Sequence, residues 1–182
     1  MKVQVPSSLE DITIGQYKHL DSLESFPPEV RLKKQVAFLC DIPEASIDSM
    51  TRGSMNEILK AMDGIRNPTA GWPLQQKVEL NGVRYGFHPK LADITAGEFA
   101  DIEVHSQEAF DNLESIMSIL YRPIVEENGM FYKIEPYTGG AGEKFLGLPM
   151  SIALGAWAFF LTIGEGLQSS TRSYSTVEAV EP

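Results

Sequence analysis

The hydrophobic positions of this chain change rhythm partway along. Between residues 8 and 64 they recur at three- and four-residue spacing and are broken by prolines, which predicts a packed array of short helices. The first helix runs from about Thr13 to Glu24 and is stopped by Phe26-Pro27-Pro28. The second covers Glu29 to Cys40, with Leu32, Val36, Leu39 and Cys40 facing inward. A short third helix restarts at Pro43-Glu44 and reaches about Met50. A fourth opens at Ser54 and turns Ile58, Leu59 and Met62 inward. From Lys77 the rhythm becomes alternating. Lys77–Leu80 and Val83–Phe87 flank Asn81-Gly82, the strongest short-range signal for a β-hairpin. Met130 to Tyr137 alternates again and is expected to add a third strand, after a turn at Glu126-Glu127-Asn128-Gly129. Lys2 to Val5 reads as a short strand ended by Pro6. Between hairpin and third strand, Phe110, Leu113, Met117 and Leu120 mark an amphipathic helix over Ser106–Tyr121, the longest of its kind here. Pro123 disfavours the helical region for Arg122 and should end it.

Local capping chemistry supports these boundaries. Thr95-x-x-Glu98 reads as a capping box, with Ile94 and Phe99 placed for a hydrophobic staple. The pattern D-I-T-x-G-[QE]-[YF] also occurs at Asp11–Tyr17, where Thr13 and Gln16 form the box and Ile12 and Tyr17 the staple. Ser54-x-x-Glu57 offers a third box. Such motifs satisfy orphan N–H groups at helix starts, so the repeat has a structural reading first and a duplication reading second. The fold class expected is α+β, mainly helical, with a small antiparallel hairpin or three-stranded sheet. One domain should span residues 1–168, made of a helical part over 8–64 and a hairpin with helices over 74–168. Residues 169–182, polar and rich in Ser and Thr, read as a flexible tail.

Phe145 to Gly164 carries no charged residue. Pro149 suits the first turn of a helix, which leaves too few residues to cross a bilayer comfortably, and the flanks hold one Lys and one Glu rather than a basic cluster. A helix apolar on all sides belongs in a core or an interface. Trp157, Phe159 and Phe160 would be its large anchors.

A net charge of −10 over 182 residues argues against a broad nucleic-acid or anionic-membrane surface. The single cysteine, Cys40, excludes an intrachain disulfide and a cysteine-rich zinc site. Residues 1–20 lack the basic start and apolar core of a signal peptide. The three histidines, His19, His88 and His105, have no metal-pair spacing. No phosphate-binding or nucleophile motif is present, so no catalytic residue, metal or cofactor is expected. Gly139-Gly140-Ala141-Gly142 could cradle an anion but lacks the Lys-Ser/Thr that would follow in a phosphate loop, and reads as a plain loop. Leu120-Tyr121-Arg122-Pro123 is the most distinctive surface-type tetrapeptide. Arg122 there either binds a carboxylate or answers the dipole at a helix end.

The succession DITAGEFADIE, ILYRPI, FYKIEPYTG and LGLPMSIALGAWAFFLTIGEGL resembles small proteins of tailed-bacteriophage genomes. The N-terminal layout, a helix, an Ile-Pro-Glu linker and a capped helix, is similar to that of phage tail assembly chaperones. The resemblance covers most of residues 10–168. It implies a non-enzymatic role in the host cytoplasm, binding a phage tail or tape-measure protein, or self-associating, during assembly. The residues expected to meet a partner are Tyr121, Arg122, Trp157, Phe159 and Phe160. Two other readings stand beside it. One is a minor virion structural protein at the head–tail junction. The other is a small-ligand-binding or enzymatic domain using Arg122, Tyr121 and His88.

Overall fold

The expected helix starts set the architecture of the N-terminal part. The computed structural model describes residues 3–68, 71–129 and 131–174, with side chains as far as Ile163 in the last stretch. Helix α1 (Ile14–Ser22) opens on the Thr13–Gln16 capping box, both bonds of which form. Helices α2 (Pro28–Leu39) and α3 (Glu44–Asp48) each begin directly after a proline. Helix α4 (Arg52–Ala61) starts earlier than Ser54. Thr51 caps it, its hydroxyl accepting from Ser54 N at 3.2 Å, so the Ser54–Glu57 box does not form. The short α5 (Asp63–Arg66) follows. Val36, Leu39, Cys40, Ile47, Ile58 and Met62 from this array are buried. Val3 to Val5 form no strand, and Lys2 lies outside the described residues.

The hairpin is strands β1 (Lys77–Leu80) and β2 (Val83–Phe87), turned by Asn81 at φ 53° and Gly82 at φ 75°. These are the left-handed values a two-residue hairpin turn needs. The following helix is split. Helix α6 (Ala96–Ser106) carries the second capping box, and α7 (Leu113–Leu120) begins a turn later. Of the helix expected over Ser106–Tyr121 only Leu113–Leu120 forms, with Leu113, Met117 and Leu120 buried as expected. Asp111-Asn112, a turn-forming pair, separates α6 from α7, and Phe110 is exposed rather than inward.

Tyr121 does not end a helix; it begins strand β3 (Tyr121–Asn128). The extended bias that Pro123 places on Arg122 is realised as pairing, with Arg122 opposite Gly86 and Tyr121 opposite Phe87. Glu126, Glu127 and Asn128, expected in a turn, continue the strand and pair with β4 (Phe131–Ile134). Met130 lies outside the described residues. The fold is α+β as expected, but its antiparallel sheet has four strands in the order β1-β2-β3-β4. A bulge at Val125 bends β3. The bend brings Glu127 within reach of Lys77 on β1 and Arg84 on β2, at 2.7 and 2.6 Å.

Helix α8 (Met150–Tyr174) closes the fold. Its start is held by the N-terminal segment: Ile14 N donates to Leu148 O, and Met150 N to Ile12 O. Gly155 lets it approach the 72–73 backbone, since a Cβ there would stand 2.7 Å from Pro73 O. The helix continues past Gln168, where a flexible tail was expected; residues 175–182 lie outside the described residues. Among the described residues no helix is long and apolar enough to cross a membrane. The core centres on α7, whose Ile116, Met117 and Leu120 are fully buried and which packs on residues 142–147, α6, α8 and β3.

Candidate functional site

The polar chemistry of the interior gathers at Glu98. As third residue of α6 it completes the capping box, and Thr95 N and Thr95 Oγ1 both donate to Glu98 Oε2 at 2.7 Å. Its other oxygen, Oε1, lies 2.7 Å from Arg122 Nη2 on β3 and 4.0 Å from His88 Nε2, just past β2. Glu98, Arg122 and His88 are 1%, 9% and 9% exposed. Among the described residues, Arg122 Nε, His88 Nδ1 and Glu98 Oε1 have no hydrogen-bond partner, so Arg122 meets Glu98 as a close ion pair. Burial would raise the Glu98 carboxyl, but the Thr95 hydrogen bonds, Arg122 and His88 outweigh it and hold the group below its ordinary value. Burial, then the Arg122 charge, pushes the His88 imidazole down, against smaller opposing effects of Glu98, Asp93 and the Lys90 carbonyl.

Glu98 Oε2 is thus held by the cap, while Oε1 lies against the Arg122 guanidinium as an ion pair. The cluster joins α6 to β3 and the end of β2. The surface-type reading of Leu120-Tyr121-Arg122-Pro123 is thereby corrected. Arg122 is buried because strand pairing draws it under α6, and Tyr121 is fully buried with its hydroxyl donating to Gln75 O at 2.6 Å. Burial raises the Tyr121 phenol well above its ordinary value. The glycine loop packs on α7, where Cβ atoms at Gly140 and Gly142 would stand 2.2 and 2.8 Å from the hydroxyls of Ser118 and Ser115.

Apolar chemistry leads outward from the same place. Tyr121 meets Phe87 edge-on at 5.4 Å, and Phe87 meets Phe159 of α8 at 5.8 Å. Beside this row lies a cavity of about 240 Å³ lined by Phe87, His88, Leu91, Tyr132, Phe159 and Ile163. Trp157 and Phe160 stack on each other at 5.6 Å, half-buried, away from that row. Phe159, Leu161 and Ile163 are 39%, 44% and 37% exposed. Phe159 and Ile163, four residues apart, share the cavity face of α8, whereas Leu161 lies on the opposite side, that of Trp157; a partner on either side meets these side chains and not the buried Tyr121 and Arg122.

Glu98 was legible only as a cap. The signal that it does more is its spacing: Ile102, four residues on, shares its buried face. Leu161 and Ile163 were hidden in a stretch apolar on every side. Among the described residues no group of three or more His, Cys, Asp or Glu could hold a metal ion. No protein-family model, curated protein or solved structure matches this chain.

Proposed function

We propose that this protein works by binding other proteins, as a phage tail assembly chaperone does, with the far part of α8 as its contact surface. The observation that carries the reading is the change of environment along one helix. Met150, Ala153 and Ala156 are buried, while Phe159, Leu161 and Ile163, with no change in hydrophobic character, are left partly open to water. Apolar side chains left open on both sides of one helix end favour a partner that covers it. The assignment of the acid–base groups supports a non-enzymatic role, because Glu98 and Arg122 are engaged in holding the fold. The partner in this reading is a phage tail or tape-measure protein, or a second copy, met in the host cytoplasm.

Quantitative mass spectrometry of purified virions and infected-cell lysate tests it. Abundance in lysate with absence from virions is the expected result. A fixed copy number in virions would sink the chaperone reading and make the protein a virion component.

A further inference from the structure

His88 follows β2 directly, and its N–H donates to Leu120 O at 2.8 Å, which ties it to the junction of α7 and β3. Residues 87–92 then form one wall of the cavity whose other wall carries Phe159 and Ile163. The groups that meet on this segment are therefore a buried ion pair on one side and an apolar cavity on the other. We propose that His88 is a proton-operated latch: when its imidazole takes up a proton, residues 88–94 part from α6 and β3, and the cavity beside α8, already open to water at Phe159 and Ile163, widens towards the ion pair.

The argument is one of charge in a dry place. With His88 neutral, the cluster holds one carboxylate and one guanidinium and has no net charge. A proton on His88 adds a positive charge beside Arg122, at sites under a tenth exposed. Glu98 brings one negative charge against two cations, and its unpartnered Oε1 lies nearer Arg122 than His88. Its Oε2 accepts two bonds from Thr95, and its Oε1 stands 2.7 Å from Arg122 and 4.0 Å from His88. Drawing Oε1 to His88 strips Arg122, whose Nε already has no partner among the described residues. The remaining groups facing His88 are the Lys90 carbonyl and Asp93 in its own turn, whose carboxylate is paired with Lys90 Nζ at 2.9 Å and largely exposed. From β4 and α8 the cavity walls nearby are Tyr132, Phe159 and Ile163, which carry no charge. The added charge is relieved by admitting water, and the 88–94 segment is the element that can yield.

Hydrogen exchange at pH 7.5 and 5.5, corrected for intrinsic rates, reads the latch directly. In the full wild-type chain, peptides covering 88–98 should lose protection several-fold at the lower pH, up to the roughly tenfold ceiling that an imidazole of ordinary value 6.5 sets between these two pH values, while those covering α2 and α4 do not change. His88→Gln should keep its protection at both values. Retained protection at pH 5.5 in the wild type overturns the proposal. So does an equal loss in His88→Gln, which would assign the response to Glu98 or to another histidine. If His88→Gln does not fold, the wild-type nuclear magnetic resonance titration decides. The amides of Leu91 to Ile94 must titrate with the same midpoint as the His88 ring, and a different midpoint overturns the latch.

Discussion

Two copies of one local motif carry different loads, and the difference lies in a single side chain. Gln16 and Glu98 each close a capping box on the threonine three residues before. Gln16 does only that. Glu98 also neutralises a buried guanidinium. Removing a cap costs on the order of 1 kcal/mol, whereas leaving half of a buried ion pair costs about 3–5 kcal/mol. Gln16→Ala should therefore lower the urea midpoint slightly and Glu98→Ala strongly, at unchanged slope; equal losses would show that the Arg122 contact is energetically idle. The sign of the pH effect follows from the same contacts. Because the folded Glu98 carboxyl sits below its ordinary value of 4.5, its contribution is fully present above that pH and is lost as pH falls through the depressed folded value. Glu98→Gln should flatten that acid limb of the stability curve.

At the scale of elements, the sheet shows what local pattern can and cannot reveal. The Asn81-Gly82 hairpin was legible because the turn chemistry is decided by two residues alone. Strand β3 was not. Leu113 to Tyr121 has helical spacing, and only pairing with β2, a contact distant in sequence, turns Tyr121 and Arg122 into a strand. Pro123 correctly marked an end to the helix but could not say what came next. The candidate site was hidden for the same reason, since Glu98 and Arg122 meet only once β3 exists. Gly86 offers a test of this packing. A Cβ there would fall 2.3 Å from the ring of Tyr132, whose hydroxyl is fixed by donating to Phe87 O at 2.7 Å. Gly86→Ala should cost about 1–3 kcal/mol by overpacking. In a Tyr132→Ala background the same change should cost far less, since the remaining close contact is Ile134 Cγ2 at 3.1 Å, and a double-mutant cycle would measure the coupling. Additive losses would mean that Tyr132 does not lie across β2.

For the molecule as a whole, α8 is both part of the core and part of the surface. Its 25 residues span about 37 Å at 1.5 Å per residue. The first half is held by Leu9, Ile12 and the 72–73 backbone, and Ala156 is fully buried. Half a turn on, Trp157 is only half-buried, so its truncation should cost less than the about 3–5 kcal/mol typical of a core tryptophan. Leu161 lies open. One helix thus predicts two opposite results for the same chemistry. Ala156→Asp places an unpaired charge in the core and should leave the chain unfolded or nearly so. Leu161→Asp should change the unfolding free energy by less than about 0.5 kcal/mol, yet abolish binding if the Trp157–Leu161 side of α8 meets a partner. Sedimentation over a range of concentrations separates the two kinds of partner. Self-association lost in Leu161→Asp makes the contact a second copy, and a wild-type monomer leaves a different protein. A destabilisation by Leu161→Asp as large as that of Ala156→Asp would mean that α8 is already covered in the free chain, and the contact surface would have to be sought elsewhere.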